Sequence, residues 1–98
     1  MMVGICVFEL HLPASRSLKD KRRVVKSMVE RLHQRFRLSV AETDHHDLLQ
    51  RAEIGLAAVV AGGERDLNRL LEEARGLIES EPEAYLTRWE PQLLEAEP

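Results

Sequence analysis

Apolar residues along the chain change from a spacing of two to a spacing of three or four and back, which predicts strands alternating with helices. Residues 2–12 are apolar on both faces near their start and alternate apolar with polar side chains near their end, which predicts a central strand. Apolar side chains then recur at helical steps from Leu18 to about Phe36, which predicts an amphipathic helix. Ser17 is placed to cap this helix, with Asp20 at the acidic position of a capping box.

The second half of the chain repeats this pattern. Residues 37–43 show a mixed alternation that suits an edge strand, and residues 52–61 are apolar on both faces, which predicts a second central strand. A pair of glycines breaks that strand, and a second amphipathic helix is predicted over residues 64–80. A short last strand is predicted over residues 84–90.

The order β-α-β-β-α-β is that of the ferredoxin-like fold, an α+β sandwich in which two helices cover one face of a four-stranded antiparallel sheet. We therefore predict a single domain over residues 1–90 and an acidic C-terminal tail over residues 91–98.

Because both central strands are apolar on their second face as well, a monomer would expose an apolar patch there. The patch predicts a face-to-face homodimer, and the alternative is that a few small apolar residues are tolerated at the surface. The predicted dimer face consists of Val3, Ile5, Val7, Ala57 and Val59.

Charge is strongly segregated along the chain, although the net charge is only −3. Residues 16–37 contain nine basic and two acidic residues, so the remainder carries a net charge of −10. Such a segment favours contact with an acidic polymer such as RNA or a ribosomal particle, and a solvated helix face is the alternative. No aromatic side chains interleave with the basic row, so no RNA or DNA sequence reading is expected. The predicted RNA-binding or anion-binding residues are Arg16, Lys19, Lys21, Arg22, Arg23 and Lys26.

Lys21 differs from the other basic residues because it projects within the apolar arc of the first helix. A lysine there needs a carboxylate or must reach outward to water, and Glu42 on the neighbouring strand is the predicted ion-pair partner. The alternative is that Lys21, Arg22 and Arg16 together hold an anion at the start of the helix.

The turn Asp44-His45-His46-Asp47 has residue types that bind divalent ions. Adjacent histidines on a turn rarely reach one metal, and no second His or Cys pair follows at ligand spacing, so no metal site is predicted. Instead, Asp44 and Asp47 are expected to hydrogen-bond the loop backbone, with His45 orienting the hairpin.

The composition and the absence of known motifs exclude further classes of protein function. The chain has 98 residues, 44% of them apolar and 32% charged, which fits one small folded domain. A single cysteine, Cys6, excludes an intrachain disulfide, and because no signal peptide or membrane span is recognisable we place the protein in the cytoplasm. The loop at 12–16 lacks the glycine-rich phosphate cradle of acylphosphatase-like enzymes, which share this fold, and no nucleophile motif is present. We predict a noncatalytic protein without a cofactor.

Five short motifs in the first half of the chain occur together in a recognisable combination. They are Glu-Leu-His-Leu-Pro at 9–13, Ser-Leu-Lys-Asp-Lys-Arg at 17–22, Val-Lys-Ser at 25–27, Ser-Val-Ala-Glu at 39–42 and Asp-His at 44–45. The combination resembles the YlxP-like family of small bacterial proteins of unknown function, over about residues 1–80. The resemblance implies a ferredoxin-like fold and no catalytic residues. It also implies a role near the ribosome, through the family's frequent gene neighbourhood with translation initiation and ribosome-maturation factors. His46 stands where many members carry another polar residue, which argues against a metal site on the histidine pair.

These patterns support two functional hypotheses. The first is a noncatalytic cytoplasmic protein whose basic first helix contacts RNA or a ribosomal particle. The alternative is a homodimeric protein-interaction module with no nucleic-acid role, whose sheet edge or acidic side meets a protein partner. Both can hold for the same molecule, because they use different surfaces.

Overall fold

The computed structural model describes residues 1–97, so Pro98 of the predicted tail lies outside the described residues. Two helices and four strands follow one another in the predicted order. The elements are β1 (Met2–His11), α1 (Leu18–Phe36), β2 (Ser39–Asp44), β3 (Arg51–Val60), α2 (Glu64–Glu79) and β4 (Tyr85–Glu95). The predicted ferredoxin-like α+β fold is therefore confirmed.

All four strands form one antiparallel sheet in the order β2-β3-β1-β4, so β1 and β3 are central, as predicted. The alternation of side chains gives the sheet two different faces. On β1 and β3 the even-numbered side chains are buried against the helices, whereas the odd-numbered side chains lie on the opposite face, which we call the open face. No helix among residues 1–97 is long and apolar enough to cross a membrane.

The core lies between the sheet and the two helices. Phe8 of β1 is fully buried in it, and its ring centroid lies 5.8 Å from that of Trp89 on β4. Each helix contributes apolar side chains at three- and four-residue steps, which explains why these segments fold as helices that pack on the sheet. The buried apolar residues of the helices are Val24, Val25, Met28, Leu32, Leu67, Leu71, Ala74 and Ile78.

Local hydrogen bonds fix both ends of α1. The Ser17 hydroxyl accepts a hydrogen bond from the Asp20 amide at 3.0 Å, and the Asp20 carboxylate accepts one from the Arg16 amide at 3.2 Å. These two bonds confirm the predicted cap. At the other end Arg37 adopts the left-handed conformation with a φ of 55°, and its amide closes the last turn. Because this residue caps the helix, β2 begins at Ser39 and not at residue 37.

The observed β4 corrects the predicted C-terminal boundary. The sequence predicts that the last strand stops before Pro91 and that a tail follows, but β4 continues to Glu95. Pro91 pairs with Cys6 of β1. β4 is an edge strand, and an edge strand tolerates a proline because one side of it has no neighbouring strand that needs a backbone N–H donor. Leu93 is half-buried and packs against the core, so the continuation of β4 belongs to the domain.

Removing residues 91–98 should destabilise the domain. The truncation deletes Leu93 and the pairing of the end of β4 with the start of β1, so we expect the free energy of unfolding to fall by about 2–4 kcal/mol. Urea denaturation followed by circular dichroism measures this change. As a control, truncation after Ala96 keeps β4 and the hydrogen bond from the Ala96 amide to the Met1 carbonyl. Equal stability of the two truncated proteins would contradict this account of β4.

Candidate functional site

Three exposed basic side chains lie on the outer face of α1. At about 100° per residue, Lys19, Arg22 and Lys26 fall within an arc of about 60°, opposite the buried stripe of the helix. Arg16 lies in the loop before the helix and is also exposed. None of these four side chains forms an ion pair with any residue that the structure describes, 1–97. We call Arg16, Lys19, Arg22 and Lys26 the basic row.

Two other arginines of α1 are paired with acids of the segment between α2 and β4. Arg23 donates two hydrogen bonds to Glu83, of 2.9 and 3.0 Å, and Arg31 lies 3.0 Å from Glu81. The Glu83 carboxylate raises the pKa of Arg23, and the guanidinium lowers the pKa of Glu83. Arg23, a member of the predicted anion-binding set, therefore has its charge balanced within the protein, unlike the basic row.

Lys21 is wrongly placed among the predicted anion-binding residues, because its side chain is fully buried. Its ammonium Nζ lies 3.1 Å from Glu42 Oε2 and donates hydrogen bonds to the carbonyl oxygens of His45 at 2.6 Å and Arg51 at 3.1 Å. The predicted ion pair with Glu42 is confirmed. An enclosed ammonium needs such partners, since burying an unpaired charge is strongly unfavourable.

These contacts fix the turn between β2 and β3. His45 has a φ of 63°, in the left-handed region, and its carbonyl accepts hydrogen bonds from both Lys21 Nζ and the Leu48 amide. The Asp44 carboxylate accepts a hydrogen bond from the His45 amide at 2.7 Å, as predicted. The ring Nε2 of His45 lies 2.8 Å from Glu9 Oε1 on β1. His45 therefore orients the hairpin, which confirms its predicted role.

The remaining polar residues of this turn do not gather into a metal site. Asp47 is exposed, and its predicted bond to the loop backbone does not form within residues 1–97. His11, on the neighbouring strand, has its Nδ1 3.2 Å from the Gln50 carbonyl oxygen. Across the described part of the chain, no group of three or more His, Cys, Asp or Glu side chains has an arrangement that could hold a metal ion. The turn is held by hydrogen bonds from within the protein.

A charged cluster occupies the end of the open face next to this turn. Glu9 accepts a hydrogen bond from Arg51 at 2.7 Å, and Arg88 of β4 lies 2.6 Å from Glu53 Oε1. The hydrogen bond from Arg51 lowers the pKa of Glu9, and His45 adds to this effect against the opposing effect of burial. We call Glu9, His45, Arg51, Glu53 and Arg88 the charged cluster. The ion pairs of the charged cluster connect β1, β3 and β4. Because its positive and negative charges balance, the cluster leaves little net charge for binding a charged ligand.

The sequence does not predict the charged cluster. Glu9 and Glu53 are direct cross-strand partners in the β1–β3 register, a like-charge pair that needs nearby cations. This need becomes visible only when the register is known, because the two glutamates are far apart along the chain. The alternation of β1 places Glu9 on the open face, and that is the one signal the sequence offers.

The other end of the open face is apolar and contains all five residues of the predicted dimer face. Val3 pairs with Val59, and Ile5 pairs with Ala57, in the β1–β3 register. Val59 is 68% exposed and Ile5 is 38% exposed in a single copy of the chain. The structure thus brings these residues together on one surface. We call Val3, Ile5, Val7, Ala57 and Val59 the apolar end.

Comparison with protein families assigns the chain to a family of unknown function. A family model described as "Protein of unknown function (DUF503)" matches residues 3–90. The chain belongs to the DUF503 family. A relative of this DUF503 protein, the "Uncharacterized protein YlxP" of Bacillus subtilis (strain 168), is 34% identical over 89 residues, which cover 88% of this chain and 92% of the relative. The resemblance to YlxP-like proteins is therefore confirmed.

A solved structure shares the fold of this DUF503 protein. The de novo designed protein Foldit4 superposes with a TM-score of 0.55 at 12% sequence identity, covering 99% of this chain and 100% of its own. A second de novo designed protein, described as having a ferredoxin fold, gives a TM-score of 0.44 at 12% identity, covering 98% of this chain and 87% of its own. At such identity the likeness of Foldit4 concerns the backbone arrangement alone.

Replacing Lys21 with methionine should strongly destabilise the protein. Lys21→Met keeps a flexible apolar side chain but removes the cation that Glu42 and the carbonyls of His45 and Arg51 share. We expect the free energy of unfolding, measured by urea denaturation, to fall by about 3–5 kcal/mol. Lys26→Met, at an exposed lysine of the same helix, is the matched control and should change it by about 0.5 kcal/mol or less. Similar stability of the two variants would show that the buried ammonium does not hold the turn.

Glu9 should make the stability of the fold depend on pH in the acid range. Because its pKa is lowered in the folded protein, Glu9 contributes its full stabilisation above its ordinary pKa of about 4.3. That contribution is lost as the pH falls through the lower, folded-state value. The stability difference between wild type and Glu9→Gln, measured by thermal melting, should be largest near pH ~7 and should shrink below pH ~4. A difference that stays constant across this range would argue against the charged cluster.

Proposed function

We propose that this protein is a noncatalytic binding protein that contacts RNA, free or within a ribosomal particle, through the basic row of α1. The observation that carries the proposal is the exposure of these four side chains without an ion-pair partner within residues 1–97. The net charge of the chain is −3, so the row creates a local field of opposite sign to the whole molecule. Such a field attracts a polyanion.

The spacing of the basic row suits a phosphate backbone. Lys19 and Lys26 are seven residues apart, which corresponds to about 10 Å along a helix axis. Each strand of a DNA duplex carries one phosphate for about every 3.4 Å of helix axis, so a row of about 10 Å is long enough to contact more than one phosphate. Arg16 and Arg22 add planar guanidinium groups that can hold a phosphate through two N–H donors. Contacts of this kind carry no base-sequence information.

The proposal assigns no reaction to the protein. Cys6 is the only cysteine of the chain, and burial raises the pKa of its thiol to about 11, so the thiol stays protonated at neutral pH and is a poor nucleophile. We also infer a cytoplasmic location, because a single buried thiol needs no oxidising compartment. The gene neighbourhood that the YlxP-like resemblance implies supports a role near the ribosome.

RNA affinity as a function of salt tests the proposal. Fluorescence anisotropy with a labelled single-stranded RNA, an RNA hairpin and a DNA duplex of equal length should show binding that weakens as salt rises, because counterions are released. The double variant Lys19→Glu/Lys26→Glu should reduce the slope of log affinity against log salt by about one to two units. Capture of the tagged protein from a native lysate, followed by RNA sequencing and protein identification, then identifies the RNA or ribosomal particle.

A charge-matched variant provides the control. Arg65→Glu/Arg69→Glu changes the net charge by the same amount at two exposed positions of α2, and it should retain RNA binding. Arg23 is left unchanged because a glutamate there would face Glu83. Circular dichroism establishes that both variants fold. The proposal is wrong if the wild type binds neither RNA at low salt, or if both double variants lose binding equally.

A further inference from the structure

The two ends of the open face differ in a way that a solvated sheet face does not explain. An antiparallel sheet with one face in water normally places polar side chains outward along its whole length. β1 and β3 follow this rule only at the charged cluster, where Glu9 pairs with Glu53. Over the remaining length their outward positions carry the apolar end, with Val3 opposite Val59. The same two strands thus carry a polar surface suited to contact with water at the charged cluster and an apolar surface suited to burial at the apolar end.

We propose that the open face is an interface between two copies of this chain, in which the apolar ends cover one another. The surface beside β1 has a shallow depression with a volume of about 390 Å³, and Ile5 and Val7 of β1 line one side of it. The lining of the depression includes the small residues Ala41, Gly55 and Ala57. A two-fold axis parallel to the strands and between β1 and β3 lays β1 of each copy over β3 of the other, where the depression lies.

The open face is large enough for such an interface. β1 and β3 have ten residues each, which gives a length of about 33 Å, and four strands about 4.8 Å apart span about 19 Å. Because β2 has only six residues, the planar area of the whole open face, the charged cluster included, is about 570 Å², just above the area of about 500 Å² per partner that a specific interface needs. A single partner helix, about 10 Å wide, would cover only half of this width. A second four-stranded sheet has the same width as the open face and would cover all of it.

The charges of the open face also favour a second copy. The charged cluster is balanced internally by the contacts of Arg51 with Glu9 and of Arg88 with Glu53. Glu90, on the edge strand β4, is exposed at the rim of the apolar end. Two faces of this composition repel each other little, whereas two copies of the basic row would repel strongly. Glu90 is the one acidic side chain in excess over the cations of the charged cluster and β4, so a strongly acidic or basic partner would find little net charge here to recognise.

The mass of the wild-type protein in solution tests the proposal. Sedimentation equilibrium at concentrations of about 10–100 µM should give about twice the 11.2 kDa of one chain. Ile5→Asp and Val59→Asp should each give the mass of a single chain, because a buried carboxylate without a partner is strongly unfavourable. Val59 is mostly exposed in one copy, so its substitution leaves the fold of that copy intact. Circular dichroism and thermal melting check the fold of each variant.

Leu48→Asp is the matched control for these substitutions. Leu48 is 42% exposed, close to the 38% of Ile5, but it lies in the turn between β2 and β3, away from the apolar end. This variant should keep the mass of the dimer. A wild type that sediments as one chain, a dimer that survives both aspartate substitutions, or equal dissociation by Leu48→Asp would each overturn the proposal. The measurement is made without RNA, so its outcome is separate from that of RNA binding.

Discussion

The buried ammonium of Lys21 is the interaction on which the arrangement of both surfaces depends. It connects α1 to β2 through Glu42, and it connects the helix to the β2–β3 turn through the carbonyls of His45 and Arg51. An apolar side chain could not replace it, because only a cation with several donors satisfies a carboxylate and two carbonyl oxygens together. The turn held in this way brings His45 to Glu9. One buried charge on the helical side of the sheet therefore helps to position the charged cluster on the open side.

Lys21 also shows which contacts of a residue a sequence pattern can predict in this protein and which it cannot. Its position within the apolar arc of a helix follows from periodicity alone, and the neighbouring strand offers Glu42 as the nearest carboxylate. The carbonyl partners could not be predicted, because they depend on the left-handed backbone of His45, which is uncommon for any residue other than glycine. The sequence left both the ion pair with Glu42 and an anion site open for Lys21, and the burial of its side chain decides for the ion pair.

Elements built on long apolar repeats were predictable, and features set by pairing between distant segments were not. The helices lie close to their predicted bounds because apolar side chains at three- and four-residue steps suit only a helix. The two central strands do so because turn signals bound their apolar runs. Pro91 is a local stop signal, yet pairing with β1 overrides it at the edge of the sheet. The contact of Arg23 with Glu83 likewise joins remote segments. The residue types of the basic row could therefore be predicted, but not which of the basic residues keep an unbalanced charge.

The distribution of charge separates the two proposed surfaces. Glu81 and Glu83 balance Arg31 and Arg23 on one flank of α1, whereas the four residues of the basic row keep an unpaired charge at the start and on the outer face of that helix. The open face lies on the other side of the sheet and is nearly neutral. In a sheet-to-sheet dimer the two basic rows face away from each other across two sheets about 10 Å apart and a helix layer about 10 Å thick on each side. That separation is several times the Debye length of about 8 Å at physiological salt, so repulsion between the rows is weak. Self-association and RNA binding therefore do not oppose each other in this fold.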